Sequence, residues 1–197
     1  PGWIDTDMNK NLDETFKQNE IDKIMLKRFG MTKEVAEKSV DLALQSPNKY
    51  LSFEFQGGEP LMNFEVLKHI VEYTNERSED KIIEFNLVSN LTLLNDEMIS
   101  FIKKHNIKIS TSLDGPEKLQ NSNRPYFSEN GYSVWRNRLK KLKAETGRPV
   151  GSIQTTTRNS LPYYKEIVDE YIANGFKRVF IRPLTPLGYA ATRWGQI

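Results

Sequence analysis

Tyr50-Leu51-Ser52-Phe53-Glu54-Phe55-Gln56-Gly57-Gly58-Glu59-Pro60 is the stretch whose reading decides the fold. Its first six residues are rich in aromatic and apolar types and read as a strand. Gly57 and Gly58 lack side chains, so the backbone there turns freely and can approach a ligand closely. Glu59 adds a carboxylate suited to an ammonium group, and Pro60 opens the next element. Beyond it, Phe64, Leu67, Ile70, Val71 and Thr74 place an apolar stripe on one helical face, as a helix covering a sheet requires. A strand, a glycine turn and an amphipathic helix in that order form a ligand-binding turn of an α/β protein.

Working outward, the spacing predicts helices near 32–46, 62–78, 95–105, 132–145 and 161–174. Strands are expected near 50–55, 82–88, 107–113, 150–157 and 177–182. Asn95 before Asp96 and Glu97 reads as an N-cap with acids in the first turn, and Gly175 after Asn174 as a helix stop. Strands separated by helices of this length make right-handed crossovers and a parallel sheet. Five such units are too few for a closed eight-stranded barrel, which leaves an open doubly wound sheet or an open, partial barrel.

The opening is different. Pro1 to Lys10 is polar and unpatterned, and Leu12 to Phe29 reads as a charged helix with no strand before it. The expected organisation is a segment 1–30 of separate character, followed by one domain over 31–197 whose first βα unit is missing. Lys and Arg total 28 against 26 for Asp and Glu, a net charge of +2. That balance gives no electrostatic case for a nucleic-acid or acidic-membrane partner. No apolar run approaches the roughly 20 residues that span a bilayer, and the simplest expectation is a cytoplasmic protein. The chain has no cysteine, which excludes disulfides and an iron-sulfur cluster held by its own thiolates. His69 and His105 have no second ligand at i+4 and read as surface histidines. Trp135 with the basic run Arg136 to Lys143 reads as a helix with one packed face, since no exposed aromatics interleave to make an RNA platform.

Parallel α/β sheets bind ligands at the carboxyl ends of their strands. Those ends here carry Gln56 to Glu59, Ser89 with Asn90, Ser112 with Asp114 and Gly115, Thr155 to Arg158, and Arg182 to Thr185. Any one such turn favours Gly, Ser, Asn and Asp for backbone geometry and capping alone. The conjunction with Glu59, Asp114, Arg158 and Arg182 marks a polar ligand pocket. Arg124, in Asn123-Arg124-Pro125, has a fork that could pair with a carboxylate, but in such a loop it reads first as solvated surface.

Phe55-Gln-Gly-Gly-Glu-Pro-Leu61, Val88-Ser-Asn90 and Ser112-Leu-Asp-Gly-Pro116 followed by Asn123-Arg124-Pro125 together resemble the radical S-adenosylmethionine (SAM) superfamily. The resemblance is to peptide- and protein-modifying enzymes of the anaerobic sulfatase-maturase type. Met31 to Ser39, Thr155-Thr-Thr-Arg158 and Phe180-Ile-Arg-Pro-Leu-Thr-Pro-Leu-Gly-Tyr189 are similar to the maturase of the His-Xaa-Ser peptide system. The resemblance implies a partial (β/α)6 barrel, SAM and a [4Fe-4S] cluster as cofactors, and a peptide or protein substrate that loses a hydrogen atom to a 5′-deoxyadenosyl radical. It implies SAM contacts at Gly57, Gly58, Glu59, Ser89, Asn90, Ser112, Asp114, Thr157, Arg158 and Arg182. The cluster cysteines expected after the first strand are absent. The resemblance therefore implies a fragment, or a cysteine-free version, of such a maturase that is not competent alone. Two alternatives stand beside it: an inactive pseudoenzyme binding a peptide or nucleoside, and a non-redox α/β enzyme using Glu59 and Asp114.

Overall fold

The structure is a computed structural model describing residues 33–126 and 130–185. The expected opening segment 1–30, its helix over Leu12 to Phe29, and the run from Pro186 to Ile197 lie outside the described residues. Helices and strands alternate except for two successive helices between β3 and β4: α1 Lys33–Leu44, β1 Tyr50–Phe55, α2 Phe64–Arg77, β2 Ile82–Ser89, α3 Asp96–Lys104, β3 Lys108–Ser112, α4 Glu117–Asn123, α5 Gly131–Thr146, β4 Gly151–Thr156, α6 Tyr164–Ala173 and β5 Phe180–Pro183. Two 3-10 turns, Pro60–Asn63 and Arg158–Tyr163, precede α2 and α6. The strands follow chain order, β1-β2-β3-β4-β5, and β1 with β2, β3 with β4 and β4 with β5 pair in parallel.

The chain packs as two units, one holding residues up to Val88 together with 95–108, the other holding 89–94 and the residues from Ile109 on. In the first, Phe53 and Phe85 pair in register and their rings lie 5.8 Å apart. The predicted stripe of α2 is buried at Phe64, Leu67, Val71 and Thr74, and Phe64 meets Phe101 of α3 edge to face at 5.5 Å. Asn95 caps α3 as expected, its Oδ1 accepting from the Met98 N–H at 2.9 Å. His69 is half-buried against Glu37 at 2.8 Å rather than loose on the surface.

In the second unit, Trp135 of α5 is 2% exposed. Its indole N–H donates to the Thr111 hydroxyl at 2.9 Å, which ties the helix to β3. Gly175 adopts φ +72° after α6, the left-handed stop read from the sequence. Two expectations are corrected. The short helix α4 was not foreseen, because Asp114-Gly115-Pro116 reads as a turn and seven residues are too few for a visible period. The last strand begins at Phe180 instead of 177, and all four of its residues are exposed.

Candidate functional site

In the first unit, the turn after β1 puts two consecutive glycines at positive φ, +98° at Gly57 and +48° at Gly58. A side chain at Gly57 would meet nothing within 4 Å, so the glycine serves its conformation and leaves open space beside the backbone. Glu59 is buried, at 7% exposure. Its Oε1 accepts from the Leu61 N–H at 3.1 Å and caps the Pro60–Asn63 turn.

The same unit carries a polar ladder that the sequence reading passed over. Register sets Ser52 opposite Glu84 and Glu54 opposite Asn86 on one sheet face. The Asn86 amide donates to the Ser52 hydroxyl at 2.9 Å and to Glu84 at 3.1 Å. Lys108 pairs with Glu84, and this ammonium holds the Glu84 carboxyl below the usual carboxylate range. Period-two alternation of Ser52 with Glu54, and of Glu84 with Asn86, is the signal that marks this face in the sequence.

In the second unit, Ser89 and Asn90 shape the end of β2. The Ser89 hydroxyl accepts from the Leu91 N–H at 2.9 Å, and Asn90 Oδ1 accepts from the Thr92 N–H and hydroxyl at 2.9 and 2.7 Å. They hold a turn in which Leu91 adopts φ +62°.

Asp114 is bonded on several sides within its unit. Its carboxylate, 2% exposed as a residue, accepts from Arg124 Nε at 2.9 Å and Arg124 Nη2 at 3.1 Å. It also accepts from the Thr155 N–H at 3.2 Å, bridging β3 to β4. Gln120 takes the Asp114 N–H at 2.7 Å and returns a bond to the Ser112 carbonyl at 3.3 Å. The Tyr171 hydroxyl donates to the Leu113 carbonyl, and burial, followed by the Asp114 charge, pushes that phenol up. Arg124 is thus a fork closed on a buried carboxylate, the less favoured of its two sequence readings, and not solvated surface; no local pattern marks Asp114, ten residues away, as the partner.

Ser112, Thr155 and Arg182 share one sheet face, since Ser112 registers with Ile153 and Thr155 with Arg182. Trp135 covers the opposite face through Thr111. The Thr155 hydroxyl on the shared face is buried without a hydrogen-bond partner. An orphaned hydroxyl costs about 1–3 kcal/mol unless a ligand or water satisfies it. Thr157 caps the Arg158–Tyr163 turn through reciprocal bonds with Ser160. Arg158 lines a cavity of about 330 Å³ with residues of α4, and Arg182 is exposed on β5.

Among the described residues no three His, Asp or Glu side chains gather to hold a metal ion, and the chain has no cysteine. Its own donors do not fit a [4Fe-4S] cluster. No described helix is long and apolar enough to cross a membrane.

Residues 8–133 match the family described as the 4Fe-4S single cluster domain, a match that takes in much of the polar opening. An uncharacterized protein of Methanocaldococcus jannaschii is 33% identical over 153 residues, 77% of this chain and 52% of that protein. The radical SAM cyclopropyl synthase TigE of Paramaledivibacter caminithermalis is 26% identical over 70% of this chain and 28% of its own length. A cysteine-type anaerobic sulfatase-maturating enzyme of Clostridium perfringens is 32% identical over 50% of this chain and 28% of its own. The chain spans about half the length, or less, of these curated relatives. Native anSMEcpe solved with bound AdoMet and Kp18Cys peptide superposes with a TM-score of 0.72 at 24% identity, over 80% of this chain and 44% of that one. That likeness shows the fold, a partial (β/α) barrel.

Proposed function

From the premise that this chain belongs to the 4Fe-4S single cluster domain family, within the radical SAM superfamily and on its sulfatase-maturase side, we propose that it is the SAM- and substrate-binding part of a peptide- or protein-modifying maturase. The cofactors expected of such a family member are SAM and a [4Fe-4S] cluster, and with no cysteine this chain supplies no thiolate for the second. What the chain contributes is binding and orientation of SAM; the electron that would cleave bound SAM to methionine and a 5′-deoxyadenosyl radical would have to come from a reduced cluster for which this chain supplies no thiolate.

The observation that carries the reading is the turn after β1. Gly57 brings backbone to the edge of open space, and the nearby Glu59 carboxylate is of the type that accepts from an ammonium such as the methionyl amine. Within the second unit, Ser89, Asn90, Ser112, Thr157 and Arg182 are assigned to hydroxyl and carboxylate groups of a ligand, and the unsatisfied Thr155 hydroxyl joins them. Asp114, expected at the cofactor, is given a positioning role, because Arg124 and Thr155 take three of its acceptor sites. The same saturation weighs against acid-base work by Asp114 in a non-redox enzyme.

A second reading is favoured by one fact, the complete absence of cysteine: a chain that binds SAM or a peptide without turnover. Calorimetric titration with SAM, beside S-adenosylhomocysteine and adenosine, tests the shared core of both. Saturable SAM binding that weakens about tenfold in Glu59→Gln, a variant that retains the capping oxygen, is the expected result. Binding that ignores that substitution removes the assignment of the turn.

A further inference from the structure

Arg158, expected at SAM, lines a cavity with residues of α4 and is given a different ligand. The cavity lies within the second unit, between α4 and the Arg158–Tyr163 turn, and holds about 330 Å³. Lys118 and Ser122 stand one helical turn apart on α4, so both present to the same side. Leu119, buried at 4%, lies between them in sequence and lines the cavity too. The other wall carries Arg158, Asn159 and Tyr163.

Two cations therefore share one small concavity whose lining contains no acid. Neither Lys118 nor Arg158 has an anionic partner among the described residues. The neighbouring carboxylate, Glu117, is turned to the Asn130 amide. Juxtaposed unpaired cations repel one another, an arrangement relieved by a bound anion. The Arg fork fits a planar carboxylate through paired bonds, while Lys offers a point charge. Ser122 and Asn159 add neutral hydrogen-bonding groups, and Leu119 with the Tyr163 ring gives an apolar surface for a short aliphatic stem. The volume is at the small end of ligand sites, which run from roughly 300 to 1,000 Å³. It suits one or two amino-acid side chains.

We propose that this cavity is a docking subsite for an acidic residue, Glu or Asp, of the peptide or protein substrate. The inference rests on the maturase reading for its choice of a peptide over a free anion. It makes Lys118 and Arg158 specificity determinants, recognising a charge carried some residues away from the position being modified.

The test uses the chain labelled with ¹⁵N and two capped tripeptides, acetyl-Gly-Glu-Gly-amide and acetyl-Gly-Gln-Gly-amide, with inorganic phosphate as a third probe. The expected result is a saturable, roughly millimolar shift of the Ser122, Asn159 and Tyr163 amide signals by the glutamate peptide. The glutamine peptide should bind about tenfold more weakly, and so should the glutamate peptide to Arg158→Gln or Lys118→Gln. Both side chains are exposed, so the two variants keep the wild-type melt. Equal binding of the two peptides, or binding unchanged in the double variant, overturns the proposal. Phosphate binding more tightly than the glutamate peptide overturns it in favour of a free-anion site. SAM titration on the same samples separates the two levels. SAM binding with no peptide preference sinks the subsite alone. Glutamate preference without SAM binding sinks the maturase reading and leaves an acidic-peptide site.

Discussion

The turns after β1 and β3 are built from the same residue types, Gly57-Gly58-Glu59-Pro60 and Asp114-Gly115-Pro116, yet they do opposite things. Glu59 bonds to an amide two residues on, and the space beside Gly57 is open. Asp114 reaches Arg124 ten residues on and Thr155 forty-one residues on, and a side chain at Gly115 would strike Ile167 and Leu119 at 2.9 Å. One turn leaves room beside its glycine for a ligand; the other is spent on packing its own unit. Proximity of an acid to a glycine therefore does not define a site. What separates the two is the space next to the glycine.

The largest effect that sharpens this contrast is expected at Asp114. Asp114→Ala leaves the Thr155 N–H and the Arg124 fork without their acceptor and should cost about 3 kcal/mol in denaturant unfolding. A loss below about 0.5 kcal/mol would place Asp114 with ordinary surface residues and break the comparison. Next come the glycines. Gly115→Ala combines positive φ, +151°, with a collision and should cost roughly 2–3 kcal/mol, whereas Gly57→Ala meets only backbone strain of about 1 kcal/mol. Equal melting shifts for the two would show that the space at Gly57 is not open. Third, Glu59→Ala removes the cap and should cost about 1 kcal/mol, while Glu59→Gln should melt like the parent.

The smallest effect is a pH dependence from the first unit. Burial, then the Lys104 charge, holds the His105 imidazole below its ordinary value. Its Nδ1 is placed to accept from the Asn75 amide at 3.2 Å. The unfolded chain therefore binds this proton more readily than the folded one. The contribution is fully present above the unfolded value of about 6.5 and is lost as pH falls towards the depressed folded value. The melting temperature should drift down between about pH 7 and pH 5, and His105→Gln should flatten part of that drift.

Local rules made most of the architecture legible. The strand Tyr50–Phe55, the Asn95 cap, the Gly175 stop and the buried stripe of α2 each rest on periodicity or on a single residue's backbone preference. What stayed hidden was non-local. Arg124 shows its role only when α4 folds it back on Asp114, and α4 is too short to announce itself. Lys118 and Arg158, forty residues apart in the chain, meet at one cavity only through the placement of α4 against the turn after β4. β5 was read as a strand like the others, yet Phe180 and Ile181 are 64% and 63% exposed, a state that alternation of residue types does not announce.

The reach of the Asp114 carboxylate also sets an order of events during synthesis. Arg124 leaves the ribosome soon after Asp114, and the pair can close as a short loop. Thr155 emerges 41 residues after Asp114, about 2–8 seconds later at ordinary elongation rates. Over that interval Arg124 is the one of these two partners already made, so the Asp114 bond that closes within the β3–α4 segment does not wait for β4, whereas the bond to Thr155 does.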